Sequence, residues 1–130
     1  MKKRYFSGGA GLTSTAFDYA VFMQMLLNKG IYNGKRILSP RTVEMMTSNQ
    51  LNFSYNGTNE FGLGFEIVTD KGANLGPRNK GSFSWGGYYG TTYWADAKAK
   101  LVCLIMTQHT PNSHGDLSNK ITNMIYASLK

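Results

Sequence analysis

Between Phe83 and Gln108 the order of residue types leaves room for little besides three successive strands. Phe83-Ser84-Trp85-Gly86-Gly87-Tyr88-Tyr89-Gly90 is an aromatic run bent by glycine, and Thr91-Thr92-Tyr93-Trp94-Ala95-Asp96 is a second aromatic run. After the charged turn Asp96-Ala97-Lys98-Ala99 comes the apolar run Leu101-Val102-Cys103-Leu104-Ile105-Met106. Aromatic and β-branched residues in short runs between turn signals mark strands, expected here near 82–86, 90–96 and 100–107. The last run is apolar on both faces, which an antiparallel strand needs only when both sides are covered. Glycine lets a backbone approach a ligand where a side chain would block it. Trp85-Gly86-Gly87 therefore reads as the wall of a site, with a tight turn among packed aromatics as the alternative.

Helical periodicity appears at both ends. Thr15-Ala16-Phe17-Asp18 is a capping box, and Tyr19, Phe22, Met23, Leu26 and Leu27 recur on one helical face up to a stop at Gly30. Asn33-Gly34 between two short apolar arms predicts a tight hairpin. Ser39-Pro40 starts a second helix, with Leu38 and Val43 as a hydrophobic staple. Residues 49–60 read as a surface loop. From Phe61 the period changes to two, predicting one strand with Leu63, Phe65, Ile67 and Thr69 on a common face, then a polar loop from Lys71 to Lys80. Ser113 to Asp116 offers another capping box, and Leu117, Ile121, Met124 and Ile125 line a C-terminal helix. The expected fold class is α+β: an antiparallel sheet flanked by helices, forming a single domain over residues 1–130.

Composition narrows the function. Fourteen Lys/Arg against seven Asp/Glu give a net charge of +7, but the basic residues are scattered and form no stripe, so no nucleic-acid partner is expected. No apolar run approaches the roughly 20 residues of a membrane-spanning helix. Met1-Lys2-Lys3-Arg4 resembles the start of an export signal, yet polar, glycine-rich sequence follows it, so no signal peptide is expected and the compartment stays open. Cys103 is the sole cysteine, excludes an internal disulfide and reads as a small buried hydrophobe. His109 and His114 have no acid or thiol at ligand spacing, so neither a metal nor another cofactor is expected. Two sequons, Asn52-Phe53-Ser54 and Asn56-Gly57-Thr58, are taken as chance in an Asn-rich chain.

The order of these elements resembles the serine β-lactamase and penicillin-binding-protein-like hydrolases, especially their esterase-type, class C-like branch. Ser7-Gly8-Gly9-Ala10-Gly11-Leu12 with Asp18-Tyr19 looks like that family's glycine-rich entry to a helix. Leu26 to Gly30 and Ile37-Leu38-Ser39-Pro40 look like its helix end and next helix start, and Phe61-Gly62-Leu63-Gly64-Phe65 like its strand entering the sheet. Trp85-Gly86-Gly87 stands where the family carries its third motif. The resemblance implies an acyl-enzyme mechanism on a small-molecule or peptide acyl substrate. Trp85, Gly86, Gly87 and Tyr89 would be substrate-binding, and the backbone amide of Tyr88 would be an oxyanion donor.

No serine in the chain is followed three residues later by lysine, and Tyr5 is followed by Phe6-Ser7 rather than by a tyrosine motif. The chain is thus expected to be a C-terminal portion of such a hydrolase, with the nucleophile absent and the parent family often extracytoplasmic in bacteria. Trp85 cannot supply a lysine's charge, which favours an esterase or peptidase-like parent over one acting on carboxylate-bearing β-lactams. Two alternatives stay open. One is a stand-alone sugar- or peptide-binding module using Tyr88, Tyr89, Tyr93 and Trp94. The other is an assembly unit that self-associates or is complemented through Leu101 to Met106, an apolar strand at a sheet edge. Ser84, or His109 with Ser113, lacks an orienting acid and reads as ordinary polar structure.

Overall fold

The computed structural model describes residues 7–9, 11–110 and 116–129. Helix α1 (Ala16–Leu27) starts at Thr15, whose hydroxyl oxygen accepts the Asp18 amide at 3.1 Å and donates to the Asp18 carboxylate at 2.8 Å. Asp18 thus takes the hydroxyl rather than a backbone amide, a variant of the expected box. The helix stops in two left-handed residues, Lys29 (φ 54°) and Gly30 (φ 88°). A Cβ on Gly30 would stand 2.1 Å from the Leu38 carbonyl oxygen, so no other residue fits. Strands β1 (Ile31–Tyr32) and β2 (Lys35–Arg36) form the predicted hairpin, with Asn33 and Gly34 both at positive φ. Helix α2 (Pro40–Met46) is capped by the Ser39 side chain, which accepts the Thr42 amide; Leu38 and buried Val43 join one core cluster.

The single strand expected from Phe61 is instead a hairpin of β3 (Glu60–Phe61) and β4 (Glu66–Ile67). The chain turns at Gly62 to Phe65, where Gly64 sits at φ 91° and the Gly62 amide donates to the Phe65 carbonyl at 2.8 Å. A Cβ at Gly62 would meet the Met46 carbonyl oxygen at 2.1 Å. Phe65 and Ile67 are buried as expected, but Leu63 lies on the turn and is 51% exposed. Thr69 is also not a strand residue: its side chain caps α3 (Asp70–Ala73), a single helical turn that opens the loop to Lys80.

Among the described residues, strands β5 (Phe83–Gly86), β6 (Thr92–Asp96) and β7 (Leu101–Ile105) extend the hairpin into a five-stranded antiparallel sheet in the order β3-β4-β5-β6-β7. One face carries Ile67, Phe83 and Ala95, which pack with Phe65, Val43 and the α1 residues Met23, Met25 and Leu26 as the core. The cross-strand row Glu66, Ser84, Trp94 belongs to the other face, beneath α4 (Leu117–Ser128). Leu117, Ile121 and Ile125 of α4 are half-buried, but Met124 is 72% exposed and Thr122 is buried in its stead. The capping box expected from Ser113 falls mostly outside the described residues. The molecule is α+β, an antiparallel sheet with helices on both faces.

Candidate functional site

Strands β5 and β6 are joined by a turn whose geometry follows from three glycines. The Gly87 amide donates to the Thr91 carbonyl at 2.7 Å, the Gly90 amide to the Gly87 carbonyl at 3.0 Å, and Gly90 adopts φ 84°. A Cβ on Gly86 would meet the Thr91 carbonyl oxygen at 2.9 Å, so strand packing itself demands glycine there. At Gly87 a Cβ would meet only the Thr91 Cβ at an ordinary 3.6 Å, so local packing does not explain that glycine. The Tyr89 carbonyl is pinned from behind, accepting the His109 amide at 3.1 Å and the Thr107 hydroxyl at 2.8 Å. Between these fixed points the Tyr88 amide makes no hydrogen bond among the described residues. Tyr88 and Tyr89 are both exposed, and their rings meet edge-on at 5.3 Å. Of the imagined Ser/His pair His109–Ser113, the serine lies outside the described residues.

The proposed site residues do not share one face. Trp85 lies opposite Tyr93 in the ladder, on the α1 side. Its indole stacks edge-on against Phe61 at 4.8 Å and Tyr55 at 5.8 Å and remains 37% exposed. Tyr93 is covered by Tyr19 at 4.6 Å, and burial followed by the bond to Tyr93 raises the Tyr19 phenol above its ordinary range. Trp94 points the other way and is 2% exposed. The four aromatics Tyr88, Tyr89, Tyr93 and Trp94 therefore form no common platform. The backbone of Trp85, Gly86 and Gly87 reaches the lip of a hollow of about 800 Å³ on the α4 side, walled by Gly72 to Arg78 and by Ser118, Asn119, Thr122 and Asn123.

Periodicity gave no hint of the groups that organise that side. Asp96, which read as part of a charged turn, is 1% exposed. Its carboxylate accepts the Tyr126 hydroxyl at 2.5 Å, the Asn79 amide and side chain at 3.1 and 2.9 Å, and the Ala99 amide at 2.9 Å. Burial works against its charge, yet the bonds from Tyr126, Ala99 and Asn79 outweigh it and hold the carboxyl at about 2. Glu66 and Arg78 also face the hollow. The Asn56 side chain is engaged internally, donating to Glu66 and accepting from Thr58 and Asn59. Cys103 is half-buried, and burial pushes its thiol up.

The sequence model of the family described as Beta-lactamase matches residues 1–125. The chain belongs to the β-lactamase family. An uncharacterized protein of Mycobacterium tuberculosis is 40% identical over 119 residues, covering 82% of this chain and 30% of that protein. Among solved structures, EstCE1, described as a hydrolase with promiscuous acyltransferase activity, shares the fold with a TM-score of 0.70 at 23% identity, covering 85% of this chain and 29% of that one. Simvastatin synthase from Aspergillus terreus, unliganded, has a TM-score of 0.67 at 26% identity over 84% of this chain and 33% of its own. The chain thus spans about a third or less of the length of each of these three proteins. Among the described residues no helix is long and apolar enough to cross a membrane, and no three His, Cys, Asp or Glu side chains are grouped to hold a metal ion.

Proposed function

We propose that this chain is the C-terminal portion of a serine hydrolase of the esterase or peptidase-like kind, contributes the oxyanion-hole strand of an acyl-enzyme site, and is inactive alone. The observation that carries this reading is the unbonded Tyr88 amide, held in a turn fixed on both sides by Gly87–Thr91 and by Tyr89–Thr107. An amide N–H already oriented and free of protein acceptors can meet developing negative charge without reorganising. Trp85, Gly86, Gly87 and Tyr89 surround it as substrate contacts. Gly87 fits that role because its missing side chain is not required by packing. The attacking serine and its lysine would come from polypeptide outside these 130 residues, which contain no Ser-x-x-Lys.

In a hydrolase reassembled from this chain and the nucleophile-bearing segment, Tyr88→Pro removes the donor and should lower kcat about 100- to 1,000-fold. Tyr88→Phe should leave it near the parent value. A proline variant that turns over at the parent rate would remove Tyr88 from the oxyanion site.

A second reading, assembly through a strand, rests on the position of β7. Among the described residues it pairs only with β6 and stands last in the sheet order, so no described strand takes the backbone groups on its outer side. The stand-alone binding module has weaker support, since Tyr93 and Trp94 are turned to opposite faces.

A further inference from the structure

Two asparagines in this chain precede glycine, and the fold treats them in opposite ways. Tyr32-Asn33-Gly34 and Tyr55-Asn56-Gly57 are the same tripeptide. Glycine matters because, without a Cβ, its nitrogen can approach the preceding asparagine side chain unobstructed. That nitrogen attacks the side-chain carbonyl carbon Cγ, the Cγ–Nδ2 bond breaks and ammonia leaves. The five-membered imide so formed takes up water and opens to aspartate or isoaspartate. Water is the one co-reactant, and no oxidant is consumed. Ring closure requires the carboxamide to turn face-on to the glycine nitrogen, and a group held in another orientation does not reach that geometry.

At Asn56 both polar atoms of the side chain are engaged. Oδ1 accepts the Thr58 and Asn59 amides at 3.2 and 2.8 Å and the Thr58 hydroxyl at 2.8 Å, while Nδ2 donates to Glu66 Oε1 at 2.9 Å. The loop around it is closed as well: the Tyr55 amide donates to the Asn59 carbonyl and Lys71 Nζ to the Gly57 carbonyl, each at 2.8 Å. Asn33 is exposed, and its side chain makes no hydrogen bond among the described residues. It stands at the tip of the β1–β2 hairpin at φ 47°, followed by Gly34 at φ 74°. The ladder pairs Ile31–Arg36 and Tyr32–Lys35 set the backbone of that turn, and nothing described fixes the carboxamide.

We propose that Asn33 is a site of self-modification, deamidating through the Gly34 nitrogen in the folded protein, while Asn56 is protected by its hydrogen bonds. The product places a carboxylate in a segment that carries Lys29, Lys35, Arg36 and Arg41 and no acid. As isoaspartate it also lengthens the main chain by a carbon atom at a turn whose type is set by loop length. The inference is independent of the hydrolase reading and of the β5–β6 turn.

The test is to incubate the purified chain in mildly alkaline buffer, folded and in concentrated guanidinium chloride, then digest it and follow both Tyr-Asn-Gly peptides by mass spectrometry. In the folded protein Asn33 should convert at least about tenfold faster than Asn56, the factor that 1.4 kcal/mol of hydrogen bonding at Asn56 supplies. In denaturant the two rates should come within about threefold of each other, since the bonds are gone and the tripeptides match. Glu66→Ala removes the acceptor of Asn56 Nδ2 and should speed conversion of Asn56 without changing Asn33. Equal rates at the two sites of the folded protein, including none at either, would overturn the proposal. A faster Asn56 would also overturn it, because the Thr58 and Asn59 donors would then be stabilising the oxyanion of ring closure rather than locking the amide. So would a tenfold gap that persists in denaturant, which would assign the difference to Lys35 against Thr58 and not to the fold.

Discussion

Asp96 carries four hydrogen bonds from Tyr126, Asn79 and Ala99, and with its carboxyl held at about 2 against an ordinary 3.8 it favours the folded state while ionised. A folded-state value below the unfolded one gives stability that is complete above the unfolded value and lost as pH falls through the folded one. The contribution is about 2 kcal/mol at neutral pH. Asp96→Asn should therefore lower stability by about that amount in denaturant melts and flatten its dependence on pH between about 4 and 2. At the β5–β6 turn, Gly86→Ala should cost about 1–3 kcal/mol because its Cβ would press on the Thr91 carbonyl. Gly87→Ala should leave the melt within about 0.5 kcal/mol. Equal costs at the two positions would mean that packing alone demands both glycines. None of the Asp96 network was legible in the sequence: an acid in a turn looks solvated until Tyr126, thirty residues on, covers it.

Elements set by neighbouring residues were the legible ones. Thr15 and Ser39 cap their helices, Gly30 stops the first, and Asn33-Gly34 turns the first hairpin, each through contacts a few residues apart. The three strands from Phe83 to Ile105 were also readable, because β-branched and aromatic runs between turn signals have few alternatives. The stretch from Phe61 misled because alternation is shared by one straight strand and by a hairpin whose turn carries a leucine. What decides is the crowding of Gly62 against Met46, a contact from α2 that periodicity cannot see. Leu63→Ala should therefore change stability by less than about 0.5 kcal/mol, whereas in a straight half-buried strand the loss would be about 2 kcal/mol or more. Gly64→Ala, at φ 91°, should cost about 1–2 kcal/mol. Urea melts of the two variants distinguish the geometries. The orientation of α4 was half legible: Leu117, Ile121 and Ile125 turn inward as their spacing implies, but Met124 does not, because the Tyr126–Asp96 bond and buried Thr122 fix the rotation.

For the whole molecule, the family and the α+β architecture were readable from motif order, and the chain matches about a third or less of its relatives' length. The large hollow was not, since it gathers β4, the Gly72–Arg78 loop, β5, β6 and α4, segments with no common pattern. Among the described residues the sheet ends at β7, and an edge of this kind favours strand exchange. Light scattering should accordingly find species larger than a monomer at high protein concentration; a clean monomer would count against assembly through that edge. The proposal that the attacking serine lies outside this chain is tested most directly by incubating the highly purified 130-residue protein with p-nitrophenyl butyrate. No saturable release of p-nitrophenol above the buffer rate is predicted. Saturable turnover that follows the protein through every purification step would contradict it and place a nucleophile within these residues.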